Sequence, residues 1–574
     1  MAAFALIAGF LGVRNAAASG TDEAPWEEDW ASAEGFALER IAVGLELPTA
    51  VIVADTPLGT RYLVTELGGV IRAVSATGDV QVFASVLEPA SDAEEFSETG
   101  LTGICLDPDN RYLFVTYAKR DEKGILRNSI HRYELGPQGV AASPIAEEDI
   151  SGRLHDFASA QSHQIGGCRA QDGNLYVSVG DGWNVAASGD PNVLLGKILR
   201  LDYNGGPAPG NPLADDPDEN RSYVWAYGFR NPFGIELVGS DVFVAHNGHD
   251  VDALLRIEPG ADYQWAGSDA TISINALNVW VPSIGPTNLA YADESVSALG
   301  PDWNGGFYVG SSHTELENGL SFVPYDPATG RVDGARQWAI QHIDRPGASG
   351  PEGRPQLIAA VAVEPAGVIF AGLFPESDGE TALYRLRIDP ENELPNRVGK
   401  SSGVTATLEE FGCLECHQHD DTGGNVGPHL DQVQLEERLE TVLYSAEYEQ
   451  AVRGIDALTE SPWIDFAEAR TEVLDAEGKD RLLTWIKYRI MEPRFDRVDA
   501  QMPTLGISED DAAAIADLLI ADELPWWRQQ AISIFGSRES ANWFILGAAA
   551  ATVAVTAAFL LLGFLRRRRR RRIV

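Results

Sequence analysis

Apolar and polar residues alternate with a period of two through short runs between residues 60 and 390, the signature of strands with one buried face. The runs recur as a phrase: an alternating stretch, a polar loop, then a second stretch with a basic or aromatic residue inside. Six copies stand at 62–74, 112–135, 174–203, 241–259, 306–326 and 368–389. Most follow another short strand that ends in a Pro/Gly/Asp turn, as in GICLDPDN (103–110) and AVAVEPAG (360–367). Three or four strands per copy, repeated six times, predict an all-β, six-bladed β-propeller over residues 36–395. In such a fold the first strand of every blade lines the central channel, so corresponding strand heads meet at one mouth. Glu98, His163, Arg230, Asn231 and Asn288 occupy such heads and are expected to converge. An acid, an imidazole and a guanidinium together suit proton abstraction beside a developing anion. A solvated polar rim is the plainer alternative.

Beyond residue 400 the period lengthens. QMPTLGISEDDAAAIADLL (501–519) carries a Ser cap, acids in the first turn and an amphipathic face, and an all-α domain is expected over 401–522. Trp543 to Leu565 is a run without charge, long enough as a helix to span the ~30 Å apolar core of a bilayer. Arg566 to Arg572 follow, so 543–565 is expected to be a transmembrane helix and 566–574 an Arg-rich cytoplasmic tail. A sorting tail that is later removed fits the same pattern. Residues 1–18, apolar and then small, resemble a signal peptide. These features lead to the expectation of an exported protein on the outer, periplasmic face of the cytoplasmic membrane, held by one C-terminal anchor with membrane lipid as a partner.

The composition, 44% hydrophobic and 22% charged, is that of a chain able to bury a core. Its 85 acidic against 43 basic residues give a net charge of −42, which repels a phosphate backbone and excludes nucleic acid as a partner. Four cysteines exclude a disulfide scaffold. Cys105 and Cys168 hold equivalent places on neighbouring inner strands, where a disulfide and two buried thiols are both open.

Cys413-Leu414-Glu415-Cys416-His417 is the most specific short motif. Two thiols three residues apart can reach the two vinyl groups of a haem, leaving His417 to ligate the iron, which predicts covalent haem c. A zinc knuckle would need two further ligands at matching spacing. GPHL (427–430) resembles the Gly-Pro-x-Leu loop that supports the proximal histidine in c-type cytochromes, so 401–522 is read as a cytochrome c domain. Met491 and Met502 are the internal methionines, and Met502 lies in a Met-Pro segment where class I cytochromes place their distal ligand. Met491 ends LLTWIKYRI and more plausibly completes an apolar helix face.

SHQIGGCRAQDGNLYVSVGDG (162–182), LLGKILRLDYNG (194–205), VWAYGFRNPFGIE (224–236) and LLRIEPGADYQWAG (254–267) resemble the glucose/sorbosone dehydrogenase family. Those are six-bladed propeller enzymes that oxidise aldose sugars with pyrroloquinoline quinone (PQQ) and calcium. The resemblance implies that His163 is the base, that Arg230 and Asn231 contact the quinone oxygens, and that Glu98 lies beside the substrate. It further implies calcium on main-chain carbonyls around Gly248 and His249. There is one departure. Where the family carries a lysine and arginines for the cofactor carboxylates, this chain has SSHTELENG (311–319) and PQLIAAVAV (355–363), with only His313 and Arg354 to substitute. The expectation is a quinohaemoprotein that oxidises a sugar or related alcohol and passes electrons through haem to a downstream cytochrome or membrane acceptor. The alternative is a propeller without its cofactor, binding a glycan or protein partner beside an electron-transfer cytochrome.

Overall fold

The computed structural model describes residues 25–520, apart from 87–97, 215–218, 250, 274–275, 281–282, 314–317, 333–335, 344–354 and scattered positions within 399–426 and 499–506. The predicted alternation becomes antiparallel sheet. Strands Pro48–Thr56, Gly59–Glu66, Val70–Ser75 and Val80–Ser85 form a first four-stranded blade. Three more follow in chain order, headed by the inner strands Leu101–Leu106, Ile165–Gln171 and Asn231–Val238. Asn110 and Asp172 stand at hairpin tips with φ 54° and 52°, the left-handed region that short polar side chains tolerate.

The ring closes differently from the expectation of six like blades. Among the described residues five four-stranded blades form; the fifth combines Ile358–Glu364, Gly367–Gly372 and Ala382–Ile388 with Phe36–Val43. The strands Pro286–Ala292, Gly306–Ser311, Gly319–Asp326 and Gln337–His342 belong instead to a seven-stranded sheet. Trp30–Ser32 pairs antiparallel with 340–342 at its edge, and Asn396–Arg397 pairs parallel with Trp30–Ser32. The outer edge of that sheet is thereby covered by both ends of the propeller segment, which widens it beyond 36–395. Trp30 explains the attachment: it is fully buried against His342, Phe370 and Tyr384. Cys105 and Cys168 form a disulfide between neighbouring inner strands, with Cα atoms 5.7 Å apart.

Residues after 404 fold into a helical unit with its own core, in which Leu435, Leu439, Ile486, Ile490, Ile515 and Leu519 meet. Its main helices are Gln432–Leu443, Ala446–Ile455, Ala467–Asp475, Gly478–Met491 and Glu509–Leu519. Ser508 caps the last of these by accepting from Asp511 N, as its sequence predicts.

The expected membrane anchor needs a correction. Among the described residues no helix is long and apolar enough to cross a membrane. The longest, Gly478–Met491, has 14 residues, or about 21 Å, short of a bilayer core. Residues 1–18, 543–565 and 566–574 lie outside the described residues. The anchored, outer-face placement is therefore withdrawn.

Candidate active site

In an antiparallel blade the head of the inner strand lies beside the end of the second strand. That register pairs Ile165 with Val179 and Asn231 with Asn247, bringing two strand heads and the loops after 179 and 247 to one mouth of the channel. His163 stands there in the left-handed region, φ 54°, a strained conformation for a residue with a side chain. Gly180 makes it possible: a Cβ would lie 2.5 Å from the His163 carbonyl and 2.7 Å from Asn231 Oδ1.

Asp181 organises the site. Its Oδ1 lies 2.7 Å from His163 Nδ1 and accepts from Trp183 N at 3.0 Å, while Oδ2 accepts from the Trp265 indole at 3.1 Å. A carboxylate only accepts, so the proton sits on Nδ1 and Nε2 is the basic nitrogen. The Trp183 ring stacks on the imidazole at 4.0 Å and is otherwise exposed. Glu98 Oε2 accepts from His163 N at 3.3 Å, so Glu98 does reach His163, through the main chain.

Arg230 is adjacent. Its carbonyl accepts from Asp181 N at 2.7 Å, its own N–H donates to His246 Nε2 at 3.1 Å, and its Nη1 donates to the Asn247 carbonyl at 3.1 Å. Burial lowers the guanidinium pKa, opposed by Asp181, Asp269, Asp252 and Glu98. Burial and then Arg230 push His246 down to about 3, so that ring is neutral and can accept. Asn231 Oδ1 and Gln164 Oε1 are buried without partners among the described residues. His163, Arg230, Asn231 and Glu98 are thus brought together. The Asn288 amide donates to the carbonyls of Thr49 and Ala359, at the heads of two other inner strands, tying inner strands across the ring.

The loop after Asn247 closes on two carboxylates. Gly248 N donates to Asp252 and His249 N to Asp269, at 2.9 Å each. Burial pushes Asp252 up to about 7 despite the N–H groups of Gly285, Gly248 and Ile284.

Residues 45–322 match the Glucose / Sorbosone dehydrogenase family. The chain is 25% identical over 282 residues to an uncharacterized protein of Synechocystis sp., covering 42% of this chain and 62% of that one. It is 24% identical over 225 residues to the aldose sugar dehydrogenase YliI of Escherichia coli K12, covering 36% and 55%. The chain therefore spans about three fifths of the length of these curated relatives. Among solved structures, a glucose dehydrogenase-like oxidoreductase of Thermus thermophilus aligns at 25% identity and TM-score 0.46, over 61% of this chain and all of that one. The PQQ-bound aldose sugar dehydrogenase of Streptomyces coelicolor aligns at 22% and 0.44, over 62% of this chain and all of that one.

The glucose/sorbosone dehydrogenase match contains Asp181, inside the stretch 162–182 that carries the resemblance, and Trp265, inside 254–267. Sequence reasoning passed over both. The GDG turn that follows a strand was the available signal for Asp181. The departure on the inner strand persists: Ile358–Glu364 holds neither Lys nor Arg. The main-chain N–H of His313 donates to Asn318 Oδ1 at 2.7 Å, and Arg354 lies outside the described residues.

In the helical unit the CxxCH motif forms a single turn, Cys413–Cys416. His417 Nδ1 lies 2.6 Å from the Pro428 carbonyl, which leaves Nε2 free of that bond. A Cβ on Gly427 would approach the His417 ring to 2.6 Å, so the loop needs glycine at this position against the imidazole. Burial lowers the His417 pKa, opposed by its bond to the Pro428 carbonyl, and burial raises the Cys413 thiol to about 12. Met491 packs against the helical core, and Met502 stands ahead of Glu509–Leu519. The motif borders the propeller: Arg336, whose Nη1 donates to the Val279 carbonyl, opposes the rise that burial imposes on Cys416. A cleft of about 490 Å³ between the two units is lined by Asp262, Tyr263 and Arg331 on one side and by Glu492, Arg494 and Thr504 on the other.

Proposed function

We propose that this protein is a quinohaemoprotein dehydrogenase, oxidising a sugar or related alcohol at the propeller mouth and passing the electrons to haem c. The observation that carries it is the His163–Asp181 pair held beside Arg230 and Asn231, at positions that match the sugar dehydrogenase motifs. The unpartnered Asn231 Oδ1, the exposed Trp183 plate and the Arg230 guanidinium 5.6 Å from that ring fit a planar, anionic quinone. When bound, PQQ would supply the two-electron acceptor. His163 Nε2 would take the proton from the substrate hydroxyl, Asp181 would hold the ring in that tautomer and stabilise the imidazolium, and Arg230 would face the developing negative charge. The carbonyls around Gly248 and His249 would carry calcium, with Asp252 and Asp269 fixing the loop.

Cys413 and Cys416 would hold the haem covalently and His417, fixed by Pro428, would ligate its iron, with Met502 as the sixth ligand. The loop Ala261–Trp265 lines the cleft toward the helical unit at one end and reaches Asp181 through Trp265 at the other, which favours electron exchange inside one molecule. The test is to add PQQ, Ca²⁺ and a panel of aldoses to haem-loaded protein and record haem reduction. Aldose-dependent reduction that requires PQQ is expected. Failure to bind PQQ at micromolar concentration would instead favour a glycan- or protein-binding propeller, the reading that the inner strand 358–364, without Lys or Arg, supports.

A further inference from the structure

Asp29, His342 and Glu376 are distant in sequence, yet one donor atom from each falls within 4.8 Å of the other two. All are buried, at 0%, 1% and 2% exposure. Asp29 ends the short 3-10 turn Trp26–Asp29, His342 ends its strand, and Glu376 lies in the loop after Gly367–Gly372. They come from the N-terminal segment, the seven-stranded sheet and the fifth four-stranded blade, the three pieces that meet where the ring closes.

The polar bonds leave this cluster incomplete. His342 Nε2 lies 2.9 Å from Glu376 Oε2, while His342 Nδ1 and Asp29 Oδ1 are buried without partners among the described residues. The other carboxylate oxygens are held in place. Asp29 Oδ2 accepts from Ser377 N at 3.0 Å, and Glu376 Oε1 accepts from Tyr384 Oη at 3.1 Å and Gln356 Nε2 at 3.3 Å. The nearby cation, Arg40, is occupied by Asp378 and reaches only Tyr384 Oη, at 3.5 Å. Two dry carboxylates with one imidazole, and no Lys or Arg paired to them among the described residues, are costly.

We propose that Asp29, His342 and Glu376 bind one divalent metal of the zinc class, a clasp that locks the N-terminal segment onto the closing sheets. One imidazole with two carboxylates suits such an ion. Tetrahedral bonds of about 2.0–2.2 Å space donors about 3.4 Å apart, inside the observed limit. Tyr384, Gln356 and Ser377 act as the outer hydrogen bonds that orient the ligands. The clasp is structural and carries no step of the oxidation.

The full chain, stripped with chelator, reloaded with ZnCl₂ and desalted, tests this by elemental analysis and thermal unfolding. Wild-type protein should retain one zinc more than His342→Gln or Asp29→Asn, and zinc should raise the unfolding temperature of wild type alone. Equal zinc in wild type and both variants would overturn the proposal. If the variants do not fold, zinc absorption spectroscopy on haem-loaded wild type, in which thioether bonds occupy Cys413 and Cys416, decides. A nitrogen/oxygen shell with imidazole scattering supports the clasp. A shell without imidazole, or no retained zinc, refutes it.

Discussion

At the scale of single residues the mouth depends on one carboxylate. Asp181 receives the imidazole of His163, the indole of Trp265 and the main chain of Trp183. Replacing His163 by Gln should leave PQQ binding nearly intact and lower aldose-dependent haem reduction by about 10² to 10⁴. Asp181→Asn should fall in a similar range, because an amide no longer selects the Nδ1–H tautomer. Single-turnover haem reduction against quinone titration separates these effects from lost cofactor. For the iron, Met502→Ala should abolish the methionine–iron charge-transfer band of the oxidised protein, whereas Met491→Ala should spare it. The reverse result would reassign the ligand.

At the scale of elements, two internal ties are open to test. The Cys105–Cys168 disulfide closes a loop of 63 residues across neighbouring inner strands. Its removal by Cys→Ser at both positions should cost about 2–4 kcal/mol in denaturant unfolding. Lys197 is fully buried and donates to the carbonyls of Ala187, Ser188 and Leu195, pinning the segment that follows Trp183. Burial pushes its pKa down to about 7. Its unfolded value is about 10.4, so between the two the unfolded chain binds more protons and stability rises with pH. The contribution is complete above the unfolded value and is lost as pH falls through about 7. Urea midpoints of wild type should therefore climb between about pH 7 and pH 9.5, and Lys197→Met should flatten that slope.

At the scale of the whole molecule, ring closure rests on the N-terminal segment. Trp30 is buried among His342, Phe370 and Tyr384, joining the seven-stranded sheet to the fifth four-stranded blade. Trp30→Ala should cost about 3–5 kcal/mol, the usual loss for a buried aromatic, with unfolding still cooperative if the propeller melts as one body. A midpoint unchanged in denaturant would show that the ring closes without this contact.

The sequence alone was enough for the local code. Period-two runs, their turns, the CxxCH turn and the Ser508 cap are dictated by neighbours a few residues away, and each is found where the pattern puts it. The strand heads His163, Arg230, Asn231 and Glu98 were also legible, because repeat register fixes which residues share a mouth. What tertiary structure decided is everything that depends on distant partners. Asp181 and Trp265 joined His163 only when the strand ends met, and the Asn288 amide found its partners in two carbonyls across the ring. The widened seven-stranded sheet and the convergence of Asp29, His342 and Glu376 have no periodic signal. They arise from chain closure, where residues far apart in sequence share one dry space.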